Sequence, residues 1–269
     1  MKKSKIINEI VSVDELSDFD RLYIGNDYCE NNLNVNNIKN LIKVYQSKKI
    51  TLLLPFLTDC GIEKISNILN FFQNFNLKNF EIVFNDWGTF CFLKKYYPKI
   101  DLALGRLLTK QRKDPRIEII LKNKQEHIKL LKNHLGIVNV VKTKKVPVSL
   151  MDLFSRSAVE SKEMIDFLIK NNVLRIEIDN LTWDMLFKLP EKMKVSLYYP
   201  YLLLNVTRYC GAINGKYERV CNKDCLKKPK NISENIFMKG NSLYYKNNII
   251  PQKKNLKSNN IDRIVYQDI

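Results

Sequence analysis

Six cysteines and two histidines are the residues of this 269-residue chain best suited to bind a metal or attack a substrate. Three of the thiols, Cys210, Cys221 and Cys225, fall in one Gly-, Asn- and Lys-rich stretch with the spacing C-x10-C-x3-C. An irregular loop lets several sulfurs turn toward one point, so thiolates there suit a soft metal centre that needs one more ligand. Cys29 is the best fourth candidate. It follows the apolar strand Leu22-Tyr23-Ile24, as Cys210 follows Leu202 to Val206. Four thiolates fit either a tetrahedral zinc or an iron–sulfur cluster, and spacing alone does not separate the two. The bland alternative is a set of unrelated thiols. Cys60 and Cys91 sit beside apolar elements and read as core thiols.

Acid–base candidates also follow strands. Asp86, after Phe80 to Phe84, could act as acid or base, or could cap the helix that begins at Trp87. Arg106, after Leu102-Ala103-Leu104, could clamp a carboxylate or phosphate, or could form a buried salt bridge. Glu177 and Asp179 share a strand face if that strand is regular, and Tyr198, Tyr199 and Tyr201 surround Pro200. His127 and His134 fall on one expected surface helix, away from any strand end. There is no Gly-x-Ser-x-Gly elbow and no His-Glu-x-x-His, so neither a Ser-His-Asp hydrolase nor a zinc protease is expected.

The elements that must position these groups alternate. Strand-like runs at 22–24, 50–54, 80–84, 102–104, 174–178 and 195–199 are separated by helical spacings, such as Ile38, Leu41, Ile42 and Tyr45. Short connections between such elements imply right-handed crossovers and a parallel sheet. No Gly-rich turn follows the first strand and no Walker-type Gly-Lys-Ser/Thr occurs, which argues against a nucleotide-binding sheet. The expectation is an α/β TIM-barrel-like (β/α) barrel with its site at the strand C-termini, one strand short if none precedes Leu22. Gln125 to Leu135 reads as a helix closed by Gly136, and Val138 to Val141 as a strand. From Cys210 the rhythm changes to turns and lysines. This predicts a barrel over residues 1–209 and a cysteine-containing, Lys-rich cap over 210–269, with a hairpin turning near Gly240-Asn241 and one strand at 264–266.

The formal charge of +17 invites a nucleic-acid reading. Lys, Asn and Ile are over-used throughout, which accounts for much of it. Two clusters remain: Arg106, Lys110, Arg112, Lys113 and Arg116, and nine basic residues between Leu226 and Arg263. No run of eighteen apolar residues occurs, so no membrane span is expected. The opening stretch is basic, but Asn8 and Glu9 interrupt its apolar part, so the expected location is the cytoplasm. In a reducing compartment six cysteines do not form a disulfide framework.

Four ordered segments carry a family resemblance: Tyr23-Ile24-Gly25-Asn26-Asp27-Tyr28-Cys29, Asn85-Asp86-Trp87-Gly88, Leu104-Gly105-Arg106-Leu107-Leu108, and Arg208-Tyr209-Cys210 with Cys221-Asn222-Lys223-Asp224-Cys225. In this order the chain resembles the U-thirty-two (collagenase-like) peptidase family, and within it the UbiU/UbiV-type iron–sulfur proteins. The resemblance implies a TIM-barrel-like fold and a 4Fe–4S cluster on Cys29, Cys210, Cys221 and Cys225. It implies anaerobic, oxygen-independent hydroxylation of a quinone precursor or of RNA bases, according to branch, and a partner chain in a heterodimer. Only part of the strand-end signature of the RNA-hydroxylating branch is present at 81–91, which favours a small planar substrate. An RNA-modifying enzyme, a peptidase and a zinc-stabilised binding module are the alternatives.

Overall fold

The computed structural model describes residues 1–72, 80–121, 127–143, 146–208, 210, 221, 223–226 and 229–269. Eight parallel strands close into a barrel: β1 (Lys2–Ile7), β2 (Arg21–Gly25), β3 (Lys49–Leu53), β4 (Phe80–Phe84), β5 (Asp101–Leu104), β8 (Arg175–Asp179), β9 (Lys194–Tyr199) and β14 (Ile261–Tyr266). The order around it is β1-β14-β9-β8-β5-β4-β3-β2. Helices α1 (Val35–Val44), α2 (Asp59–Phe72) and α3 (Trp87–Tyr96) follow β2, β3 and β4. Between β5 and β8 lie α4 (Arg116–Leu121), the antiparallel pair β6 (His127–Lys132) and β7 (Val138–Thr143), α5 (Val148–Ser155) and α6 (Lys162–Lys170). After β9 a four-stranded sheet, β10 (Tyr201–Val206), β11 (Lys230–Ser233), β12 (Ile236–Lys239) and β13 (Ser242–Lys246), precedes α7 (Lys253–Ser258) and β14.

Strand alternation sorts the side chains. Outward residues such as Leu22, Ile50, Ile82, Leu102, Ile176 and Leu197 are buried with the helices in the main core. A representative helix, α1, is capped by the Asn34 side chain accepting from Asn37 N–H at 3.1 Å, and buries Ile38, Leu41 and Ile42. Inward residues form two layers of opposite character. Tyr23, Leu53, Val83, Ala103, Tyr198 and Val265 make an apolar and aromatic layer toward the strand C-termini. Beneath it lies a charged layer. Arg263 donates to Glu81 Oε1 and to the Tyr23 hydroxyl, both at 2.7 Å, and Tyr23 donates to Glu177 Oε1 at 2.9 Å. Arg175 donates to Asp262 at 2.7 Å and to Ser196 at 3.0 Å.

Three expectations change here. The barrel is complete, because β1 lies ahead of Leu22 and β14 fills the gap between β1 and β9. β1 escaped notice because it is mostly Lys and Ser and sends Ser4 into the polar layer. Residue 209 is therefore no boundary between barrel and cap, since the stretch after it returns a barrel strand. The described part of the expected helix from Gln125 to Leu135 is the strand β6 and a turn. Gly136 takes a φ of +79° there and Asn133 Oδ1 accepts from Leu135 and Ile137 N–H; Gln125 lies outside the described residues. Val138 to Val141 is a strand, but in the ribbon and not the barrel. The expected hairpin near Gly240 is present as β12 and β13.

Burial without a partner for Oε2 pushes the Glu177 carboxyl up to about 7, against the pull of Arg263. The folded state then holds this proton more tightly than the unfolded chain. Its stabilising effect is full at pH 4 and is lost as pH rises through 7, an effect of about 3 kcal/mol. Urea denaturation of Glu177→Gln should show little difference from the parent at pH 5 and a clear gain at pH 8. Parallel pH profiles for the two proteins would refute it.

Candidate functional site

The strand C-termini open onto a cavity of about 1120 Å³ among the described residues, and Cys29 lies in its wall. The turn that presents Cys29 starts at Gly25, whose φ is +108° and where a Cβ would meet Leu53 O at 2.4 Å. Asn26 Oδ1 then accepts from the N–H groups of Tyr28 at 3.1 Å and Cys29 at 2.8 Å, folding the chain over the barrel end. Tyr28 is buried against Leu203 and Tyr244 of the four-stranded sheet, with Cys29 packed beside them. The cap sheet and barrel thus share a small core beside the first thiol.

Cys225 is the buried member of the four candidate thiols, and its Sγ accepts from Asn32 Nδ2 at 3.6 Å. Burial pushes the Cys225 thiol up, Cys210 and Cys221 push it further, and the Asn32 hydrogen bond and Lys239 oppose them. Burial likewise raises the Cys29 thiol, and Cys225 and Cys221 add to the effect. Cys29 and Cys225 therefore sense the other candidate thiols as charges. Among the described residues no three Cys, His, Asp or Glu side chains are grouped to hold a metal ion as they stand. Cys60 and Cys91 are exposed, which corrects their reading as core thiols; α2 buries Ile65, Ile68 and Leu69, and α3 buries Phe90 and Leu93, instead.

Arg106 is committed to the protein itself. Nε donates to Asp27 at 2.6 Å, Nη1 to Asp179 at 2.8 Å and to Tyr201 O at 3.2 Å, and Nη2 to Gln267 at 3.0 Å. The guanidinium also lies 4.0 Å from the centre of the Tyr198 ring. Lys113 pairs with the second oxygen of Asp179. Burial pushes Asp179 upward, but Lys113 and Arg106 together hold its carboxyl below the ordinary value. Glu177 and Asp179 both point inward, as a regular strand requires, yet belong to separate networks. Asp27 and Gln267 are contributors that sequence reasoning missed, and Lys113 entered it only as part of a basic cluster. The visible signal was Asp27, inside a motif read for its cysteine.

Asp86 caps α3, accepting from Thr89 N–H at 2.7 Å and from Leu57 N–H at 3.2 Å, with the Thr89 hydroxyl at 2.6 Å. Its neighbour Asn85 accepts from Leu107 N–H and donates to Leu54 O. That contact demands glycine at 105, where a Cβ would stand 2.1 Å from Asn85 Oδ1. Among the side chains lining the cavity are Phe56 and Trp87, both exposed, with Lys110, Arg116 and Arg208. Arg208 lies 4.9 Å from the Phe56 ring centre. Of the five residues in the first basic cluster, Arg106 and Lys113 are neutralised inside the protein and Arg116 pairs with Asp114. His134 sits exposed in the β6–β7 turn, and β6 begins at His127, so the helix expected to carry both histidines is absent there.

No protein-family model matches the chain, and neither does any curated protein or solved structure. No helix among the described residues is long and apolar enough to cross a membrane.

Replacing Arg106 with Gln strands the Asp27 carboxylate and half of the Asp179 pairing in a dry site, which should destabilise the fold by about 3–5 kcal/mol. Equilibrium urea denaturation measures this. A free substrate clamp would leave the midpoint near that of the parent.

Proposed function

We propose that this chain is an iron–sulfur protein whose 4Fe–4S cluster is held by Cys29, Cys210, Cys221 and Cys225 at the barrel mouth. It acts in oxygen-independent hydroxylation, or a related redox modification, of a small planar substrate, with a partner chain. The observation that supports this best is the double position of Cys29: it lies in the cavity wall and within electrostatic reach of Cys221 and Cys225. The donor set fits the group. Four thiolates are the usual ligands of a cubane, and a cluster spreads its ligand sulfurs more widely than a single ion does.

When bound, such a cluster supplies one-electron transfer at a potential set by its hydrogen bonds and exposure. The chain's own residues supply the rest. Phe56 and Trp87 offer faces on which a planar ring can stack, and Arg208 and Lys110 offer charge for an anionic group. Leu107, Leu108 and Leu203 make part of the wall apolar and limit water beside the ring. Asp86 and Arg106 act as positioning residues, because their polar atoms hold α3 and the strand ends. An RNA substrate draws less support, since Arg106 and Lys113 of the first basic cluster are buried in ion pairs within the protein.

Anaerobic purification should give a brown protein with about four irons and four sulfides per chain. Cys29→Ala should lose most of that iron. A colourless anaerobic preparation carrying one zinc would overturn the proposal, and unchanged iron in Cys29→Ala would overturn the ligand assignment. Tight binding to one RNA that persists at about 200 mM salt would favour the RNA-modifying alternative.

A further inference from the structure

The ribbon of β6 and β7 serves neither the barrel nor the mouth. It pairs Ile128 with Lys142, Leu130 with Val140 and Lys132 with Val138, and among the described residues it joins no larger sheet. Cross-strand partners share a face, so Ile128, Leu130, Val138 and Val140 form one aliphatic strip. These four side chains are 67, 69, 54 and 67% exposed. The opposite face mixes Lys129 and Asn139 with Leu131 and Val141. A two-stranded ribbon is marginal by itself in water, and a contiguous exposed aliphatic strip marks an interaction surface.

Charge selects the occupant. Residues 127–143 include Lys129, Lys132 and Lys142 and no carboxylate. Neither Lys129 nor Lys132 pairs with a carboxylate among the described residues. A second copy on this strip would set lysine against lysine. Burial in lipid would leave the N–H and C=O groups of both open edges unsatisfied. We propose that this ribbon docks a protein partner whose contact surface is an aliphatic strip rimmed by Asp and Glu. The proposal stands apart from the iron–sulfur reading, because no candidate cluster ligand lies in the ribbon.

The probe is a fluorescein-labelled strand peptide of alternating Glu and Val, with a Lys-and-Val twin, titrated into the full chain by anisotropy. The Glu peptide should bind and the Lys twin should not. Leu130→Ser with Val140→Ser should weaken binding roughly tenfold or more, as loss of central aliphatic contacts does. Lys132→Glu, on the strip's own face beside Val138, should weaken binding in the same direction through charge. Both variants alter exposed side chains, so their circular dichroism and melting should match the parent, and either one alone decides the matter if the other misfolds. Three outcomes overturn the proposal: no binding of the Glu peptide, equal binding of both peptides, or unchanged binding by the variants. Sedimentation showing a dimer that Leu130→Ser abolishes would assign the strip to a second copy. Flotation with phosphatidylglycerol vesicles, lost in the same variant, would assign it to lipid.

Discussion

A guanidinium with almost no access to water must find its counter-charges within the protein, and Arg106 finds them on several strands at once. Asp27 follows β2, Asp179 ends β8, Gln267 follows β14, and Tyr201 O opens the cap sheet. Loss of either carboxylate leaves buried charge uncompensated, and loss of Gln267 or Tyr201 O leaves a buried donor unpaired, so these segments are fixed relative to one another. Asp27 stands two residues before Cys29, and Asp179 also accepts from Leu203 N–H at 2.8 Å. The interaction that plugs the barrel end therefore sets where the first candidate thiol sits and how the cap sheet lies over it.

Chemistry at this mouth is what Arg106 and Asp86 leave free. Both are polar residues in the wall of a cavity, and both look reactive when seen only as letters after a strand. Each has its polar atoms taken up by neighbours, Arg106 by carboxylates and Asp86 by the start of α3. The exposed aromatic faces, Lys110, Arg208 and the thiols remain as groups with capacity to meet a ligand. This division between groups that hold the site and groups that face it depends on three-dimensional partners that lie far apart in the chain.

That dependence explains what the sequence made legible. Apolar runs such as Ile50 to Leu54 and Phe80 to Phe84 announced buried strands, and Asn85-Asp86 announced a helix start. The turn-rich cysteine segment pointed to soft-ligand chemistry, which stands as a proposal. β1 stayed hidden because it is mostly Lys and Ser and one of its inward residues is Ser4, matched to a polar interior that no local pattern encodes. The β6–β7 ribbon imitated a helix because Ile128, Leu131 and Leu135 fall at helical spacing, and only Gly136 and Asn133 declare a turn. Arg106 offered a clamp or a salt bridge with equal force. Its partners, at positions 27, 179 and 267, decide between them.

The place of β14 has a consequence for how the chain reaches this state. Its neighbours are β1 and β9, so the ring closes only when the last strand inserts beside the first. Until then seven strands make an open sheet, with β1 and β9 as bare edges and the polar inner layer lacking Arg263. Pairings of such long sequence separation form slowly, and exposed parallel edges invite wrong partners meanwhile. During synthesis the barrel is thus an unfinished, adhesive sheet until nearly all of the residues described here have left the ribosome. Its reliance on chaperones would be set by that delay and not by final stability.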